Sequence, residues 1–164
     1  MLKIRKTTYD DLKDCDRIYA HAKEMMRING NPTQWNGEYP NSKDVIEDIK
    51  NDCSYVVTND DKVVAVLAFI EGIEPTYSYI EDGAWLQDAP YATIHRIASD
   101  NTVKGILNFV VDYFSKKDLD IRIDTHEDNK IMLHQIQKCG FKYCGIIYVH
   151  DHSKRLAFQL CKKY

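Results

Sequence analysis

No apolar run in the 164-residue chain approaches the ~18 residues that a membrane-spanning helix needs. Met1-Leu2-Lys3-Ile4-Arg5 alternates apolar and basic residues from the start, which is not the pattern of a signal peptide. No Lys/Arg cluster is long enough to be an electrostatic footprint for DNA or RNA, and 22 basic residues against 25 acidic ones leave a net charge of -3. The five cysteines, Cys15, Cys53, Cys139, Cys144 and Cys161, are odd in number and include no C-x-x-C pair, which argues against a disulfide framework and a zinc knuckle. Internal repeats, low-complexity tracts and interdomain linkers are also missing. These absences lead to the expectation of a cytoplasmic protein with reduced thiols and with no nucleic acid and no membrane among its partners.

What is present is an ordinary globular composition, 44% hydrophobic and 29% charged. A chain of this length buries roughly two-thirds of its unfolded surface, so a single domain over residues 1–164 is expected. Residues 2–6 read as a first strand. Thr7 or Thr8 then caps a helix with the apolar stripe Leu12, Cys15, Ile18, Tyr19, Ala22 and Met26, which stops near Asn29-Gly30. The turn-rich, aromatic segment 31–40 carries Trp35 and Tyr39, and Asn41 or Ser42 caps a shorter helix with Val45, Ile46 and Ile49. Residues 54–58 and 62–70 are β-rich runs joined by Asn59-Asp60-Asp61, an antiparallel hairpin. Residues 71–90 lose periodicity and form a long excursion holding Tyr77, Tyr79 and Trp85.

The stretch 94–114 organises the remainder. Ile94, Arg96, Ile97 and Ala98 read as a largely buried strand. A short polar loop follows, and then Val103, Ile106, Leu107, Val110, Val111 and Phe114 recur at helical spacing. A strand feeding a helix through a tight turn directs free backbone N–H groups and a positive dipole end at one spot, which suits phosphate. Residues 118–124 make another strand, Asp128 caps a helix that Gly140 ends, and 141–149 pairs with 155–161 as a terminal hairpin. The fold class expected is therefore α+β: a mixed, mostly antiparallel central sheet flanked by helices, with one local parallel strand–helix–strand unit crossing right-handed.

The residues Ile97-Ala98-Ser99, Thr102-Val103-Lys104-Gly105-Ile106-Leu107, Asn129 on the next helix and Cys139-Gly140-Phe141 at its end resemble the GNAT superfamily of acetyl-CoA-dependent N-acetyltransferases. The resemblance runs through nearly the whole chain in element order. It implies a turn of pattern Gln/Arg-x-x-Gly-x-Gly/Ala whose amides hold the pyrophosphate of coenzyme A. Gly105 matches the first Gly, Thr102 stands at the Gln/Arg position and Leu107 replaces the second small residue. The cofactor residues so implied are Ile97, Ala98 and Ser99 through their main chain along the pantetheine arm and acyl carbonyl, Val103, Lys104, Gly105, Ile106 and Leu107 at the pyrophosphate, and Asn129 on the pantetheine side; helix capping is the other reading of Asn129. Ile136 lies where many members carry a general-acid Tyr, leaving Tyr143, Tyr148 or unassisted departure of a thiol with pKa about 8.5.

The reaction implied is direct attack of a neutral amine on the thioester of acetyl-CoA in a ternary complex. His95 is the candidate base, sharing a strand face with Tyr91 and Thr93, while its structural reading is a core histidine. Glu71, Glu81 and water are further candidates. Trp35, Tyr39, Tyr79 and Trp85 are the residues expected to contact the acceptor, a small-molecule or peptide amine, with satellite-core packing or an oligomer interface as their other reading; a homodimer is among the partners considered. No metal is expected: a calcium loop begun at Asp124 would need Gly where Asn129 stands and Glu where Gln135 stands, and His150 and His152 lie on a turn. The alternative on the same fold is a non-catalytic acyl-CoA-binding or protein-interaction module.

Overall fold

The segments read as strands and as amphipathic helices form those elements, with some boundaries shifted, and in the expected order. The computed structural model describes residues 1–35 and 37–163. In order these are β1 (Leu2–Lys6), a 3-10 turn (Tyr9–Asp11), α1 (Leu12–Ile28), α2 (Ser42–Lys50), β2 (Ser54–Asn59), β3 (Lys62–Glu71), a 3-10 turn (Pro75–Tyr77), β4 (Tyr91–Ser99), α3 (Ile106–Phe114), β5 (Asp120–Thr125), α4 (Lys130–Lys138), β6 (Lys142–Tyr148) and β7 (Lys154–Leu160). The seven strands form one sheet in the order β1-β2-β3-β4-β5-β7-β6. The β1–β2, β2–β3, β5–β7 and β6–β7 pairs are antiparallel and β4–β5 is parallel. The chain is mixed α+β.

By internal contacts the chain divides into two units, residues 1–69 with 95–106 and residues 70–94 with 107–164. In the first, the α1 stripe of Cys15, Ile18 and Tyr19 packs with Val45 of α2, with Val56, Val63 and Val66 of the hairpin and with Ala98; Leu12, Ala22, Trp35 and Ile49 close over this core. The hairpin turn is Asp60-Asp61, both left-handed at φ +49° and +73°. That conformation matches the strand twist, and Asp tolerates it better than most side chains.

In the second unit the parallel ladder runs from Tyr91–Asp120 to Thr93–Arg122. The excursion is an ordered cover: Tyr77, Tyr91, Ile147 and Ala157 form a core with Ile80, Trp85 and Val149 against it. The Arg122 guanidinium lies between the rings of Trp85 and Tyr91, 4.1 and 3.9 Å from their centroids, and donates to the Gln87 carbonyl. Glu81 and Ile146 exchange backbone hydrogen bonds of 2.9 Å, pinning the excursion to β6.

Several boundaries differ from the sequence reading. The N-cap of α4 is Asn129, not Asp128: its Oδ1 accepts the Met132 amide at 3.2 Å. Val103 precedes α3, because Gly105 at φ +76° sets the helix start at Ile106. The strand expected from 118 begins at Asp120, and Thr8 leads into a 3-10 turn before α1 starts at Leu12.

Candidate functional site

In the first unit, the end of β4 runs directly into the turn at residues 100–105 that leads to the start of α3. Asp100 organises the turn. Its Oδ1 accepts the Thr102 amide at 3.0 Å and the Thr102 hydroxyl at 2.6 Å, and its Oδ2 accepts Arg17 Nη1 at 3.1 Å. Burial acts to raise the Asp100 pKa, but the bonds from Thr102 and Arg17 outweigh it and hold the carboxyl below its usual value. Thr102 therefore spends its amide and hydroxyl on the turn itself. Asn101 at φ +62° and Gly105 at φ +76° bracket the loop, and Asn101 Nδ2 lies 3.1 Å from His21 Nε2. The opening amides of α3 have no intrahelical acceptor, so Ile106 and Leu107 present N–H groups beyond the turn, with exposed Lys104 beside them. Leu107 is only 3% exposed, so its side chain is buried and does not project from the turn.

Upstream, His95 is half-buried on β4, one residue before Arg96, which is left-handed at φ +51°. The Tyr19 hydroxyl donates to the Arg96 carbonyl at 2.7 Å, and Arg96 Nη2 pairs with Asp48 of α2. Arg96 Nη1 reaches the Tyr39 hydroxyl at 3.5 Å. Burial works to lower the Arg96 pKa, and Tyr39 and Asp48 more than compensate, so it stays charged. Trp35 packs edge-on against Tyr19, with ring centroids 5.7 Å apart, whereas Tyr39 is 46% exposed. The sequence reading passed over Tyr19 and Asp48 as site residues. Their signals were an Arg in an otherwise apolar strand and an Asp three residues after Val45, on the inward stripe of α2.

The remaining residues lie in the second unit. Tyr79, 61% exposed, donates to Glu81 at 2.9 Å, and Tyr148 donates to the other Glu81 oxygen at 2.5 Å. The bonds from Tyr148 and then Tyr79 lower the Glu81 pKa, and the bond to Glu81 raises that of Tyr148. Glu81 is thus a weak proton acceptor and Tyr148 a weak donor. Trp85 is half-buried, its indole N–H on the Tyr77 carbonyl. Asn129 caps α4, Tyr143 packs on Phe158, and Ile136, at the position where the resemblance implies a general acid, is fully buried.

No protein-family model and no curated protein matches the sequence. Solved structures do. A GNAT-family acetyltransferase from Streptococcus agalactiae 2603 is 32% identical over 99% of this chain and 96% of its own, with a TM-score of 0.91. The chain belongs to the GNAT family of acetyltransferases. A GNAT acetyltransferase from Bacillus cereus ATCC 10987, 17% identical over 100% and 99% of the two chains, shares the fold with a TM-score of 0.61. So does the ribosomal-protein-S18-alanine N-acetyltransferase of Escherichia coli, 14% identical over 100% and 96%, TM-score 0.64. At the two positions where this chain departs from the turn pattern, the Thr102 side chain is bonded to Asp100 and the Leu107 side chain is buried.

Proposed function

We propose that this chain moves the acetyl group of acetyl-CoA to an amine by direct attack in a ternary complex. The pyrophosphate is held by amides from Val103 to Leu107, with Lys104 supplying positive charge, and the pantetheine arm and acyl carbonyl run along the main chain of Ile97, Ala98 and Ser99. Asn129 enters on family resemblance, its Oδ1 already capping α4. His95 takes the proton of the attacking amine, either directly or through water. The exposed Tyr39 and Tyr79 are the aromatics offered to the acceptor, while Trp35 and Trp85 contribute mainly through packing. The acceptor is a small-molecule or peptide amine, and the five free thiols fit a cytoplasmic setting.

The observation that carries this reading is the turn itself: Asn101 and Gly105, both left-handed, deliver the strand end into the α3 start with Thr102 folded back on Asp100. Calorimetric titration with CoA and acetyl-CoA, followed by thiol release over a panel of amines, tests it. Binding with amine-dependent release is expected. No binding at millimolar cofactor overturns the proposal, and tight binding with no release under any amine favours the acyl-CoA sensor.

A further inference from the structure

We infer that Tyr19 and the Arg96–Asp48 pair are positioning residues that turn the Arg96–Ile97 peptide out of the sheet and aim the Ile97 N–H at the carbonyl oxygen of the bound thioester. The inference rests on the acetyl-CoA reading above and adds to it residues that do not touch the reacting atoms.

Arg96 sits inside a strand in the left-handed region, where a residue with a Cβ is disfavoured by roughly 1–2 kcal/mol. Such a conformation persists only where the surroundings over-determine it. Here two helices do so. From α1, the buried Tyr19 hydroxyl donates to the Arg96 carbonyl at 2.7 Å, with the Trp35 ring packed against the tyrosine. From α2, the buried Asp48 carboxylate takes the Arg96 guanidinium. Burial holds the Tyr19 phenol far above its ordinary pKa, so it remains a neutral donor. A buried ion pair is a poor way to gain stability, and this one is incompletely satisfied, since among the described residues Arg96 Nε is buried with no hydrogen-bond partner. The arrangement costs energy and holds one peptide in place.

The geometry of that peptide says what it gains. In a regular strand the carbonyl lies in the sheet and bonds a neighbouring strand. The Arg96 carbonyl bonds a tyrosine on a helix instead. Because the peptide is planar and trans, its N–H points opposite to its C=O, so the Ile97 amide is directed away from Tyr19. Ile97 opens the Ile97-Ala98-Ser99 stretch assigned to the acyl arm, and a fixed N–H is the donor needed where negative charge develops on a thioester oxygen.

The test uses the full chain with CoA and acetyl-CoA labelled with carbon-13 at the carbonyl. Calorimetry gives the affinity for CoA, and the carbonyl chemical shift of the bound labelled ligand reports its hydrogen bond. For Tyr19→Phe, which removes one oxygen, CoA affinity is expected to stay within about twofold, because the phosphate contacts are remote. The carbonyl signal is expected to move from its wild-type position toward that of free acetyl-CoA. Arg96→Gly, which keeps left-handed freedom and removes the pair, folds without the steric cost and is expected to move the signal the same way. A carbonyl shift identical in wild type and both variants overturns the inference while leaving the cofactor reading standing. Failure of the wild type to bind CoA overturns that reading, and this inference with it.

Discussion

Gly83 and Cys144 lie backbone against backbone: a Cβ built on Gly83 stands 1.9 Å from the Cys144 carbonyl oxygen. Gly145, at φ +151°, faces the Glu81 carbonyl in the same way at 2.7 Å. Two glycines on opposite segments thus permit the Glu81–Ile146 bridge. Gly83→Ala is expected to break that bridge and destabilise the fold by about 1–3 kcal/mol, the usual cost of forcing atoms into packed space. Urea unfolding gives the free energy, and faster hydrogen exchange at the Glu81 and Ile146 amides locates it.

At Gly105 the argument is conformational, because an added Cβ meets nothing within 4 Å while φ is +76°. Gly105→Val is expected to abolish CoA binding in a folded protein, since a β-branched residue rejects that backbone and the α3 amides swing away. Gly105→Asn, which tolerates the left-handed region, is expected to retain affinity within about tenfold. Calorimetry on both variants decides; unchanged affinity in Gly105→Val counts against the whole assignment.

Tyr39 and Trp35 separate acceptor contact from core packing. Tyr39 is exposed beside Arg96, whereas Trp35 closes over the first unit's core. Tyr39→Ala is expected to raise the acceptor KM with little loss of thermal stability. Trp35→Ala is expected to lower Tm, losing an aromatic pair worth about 0.5–1.5 kcal/mol beyond its buried area. Steady-state kinetics with the acceptor found by thiol release, alongside thermal unfolding, checks both.

Arg122 between Trp85 and Tyr91 is a buried cation on two ring faces. Arg122→Lys is expected to cost about 2 kcal/mol, because an ammonium is a compact, strongly hydrated charge that cannot stack as a planar guanidinium does. Urea unfolding measures the cost, and the near-ultraviolet signal of Trp85 reports the altered ring environment.

The Arg5–Asp11 pair gives a pH dependence of definite sign. The bidentate bond from Arg5, at 2.8 and 2.9 Å, holds the Asp11 pKa below its ordinary 3.8; burial opposes this, and bonds from Thr8 add to it. A carboxyl whose folded pKa is depressed contributes stability above its unfolded pKa and loses it as pH falls through the folded one. Wild-type stability is therefore expected to drop more steeply than that of Asp11→Asn from about pH 5 downward. Urea midpoints across that range check it, and parallel profiles would dismiss the pair as a contributor.

Much of the architecture was legible locally. The α1 stripe, the β3 apolar run and the Asp60-Asp61 turn carry their period or turn chemistry in a few adjacent residues, and each lies where that chemistry directs. The Asp100–Gly105 turn was half legible. Gly105 marked the pivot, but nothing in the order of residues said that Thr102 would fold its amide and hydroxyl back onto Asp100. Asp128 and Asn129 are both good caps, and a one-residue shift in helix start decided between them.

The sequence alone determined the α+β class, the element order, the family resemblance and the stretch from 97 to 107 as the part to watch, because periodicity and turn preference act over a few residues. Tertiary structure decided the conformation of Arg96, held by Tyr19 from 77 positions away and by Asp48 from 48, and the glycine contact between the excursion and β6. The physical reason is the size of the energies. The left-handed and extended wells of one residue differ by roughly 1–2 kcal/mol. A hydrogen bond or charged contact from a distant element is of the same order, so partners far along the chain select the well that local preference would reject.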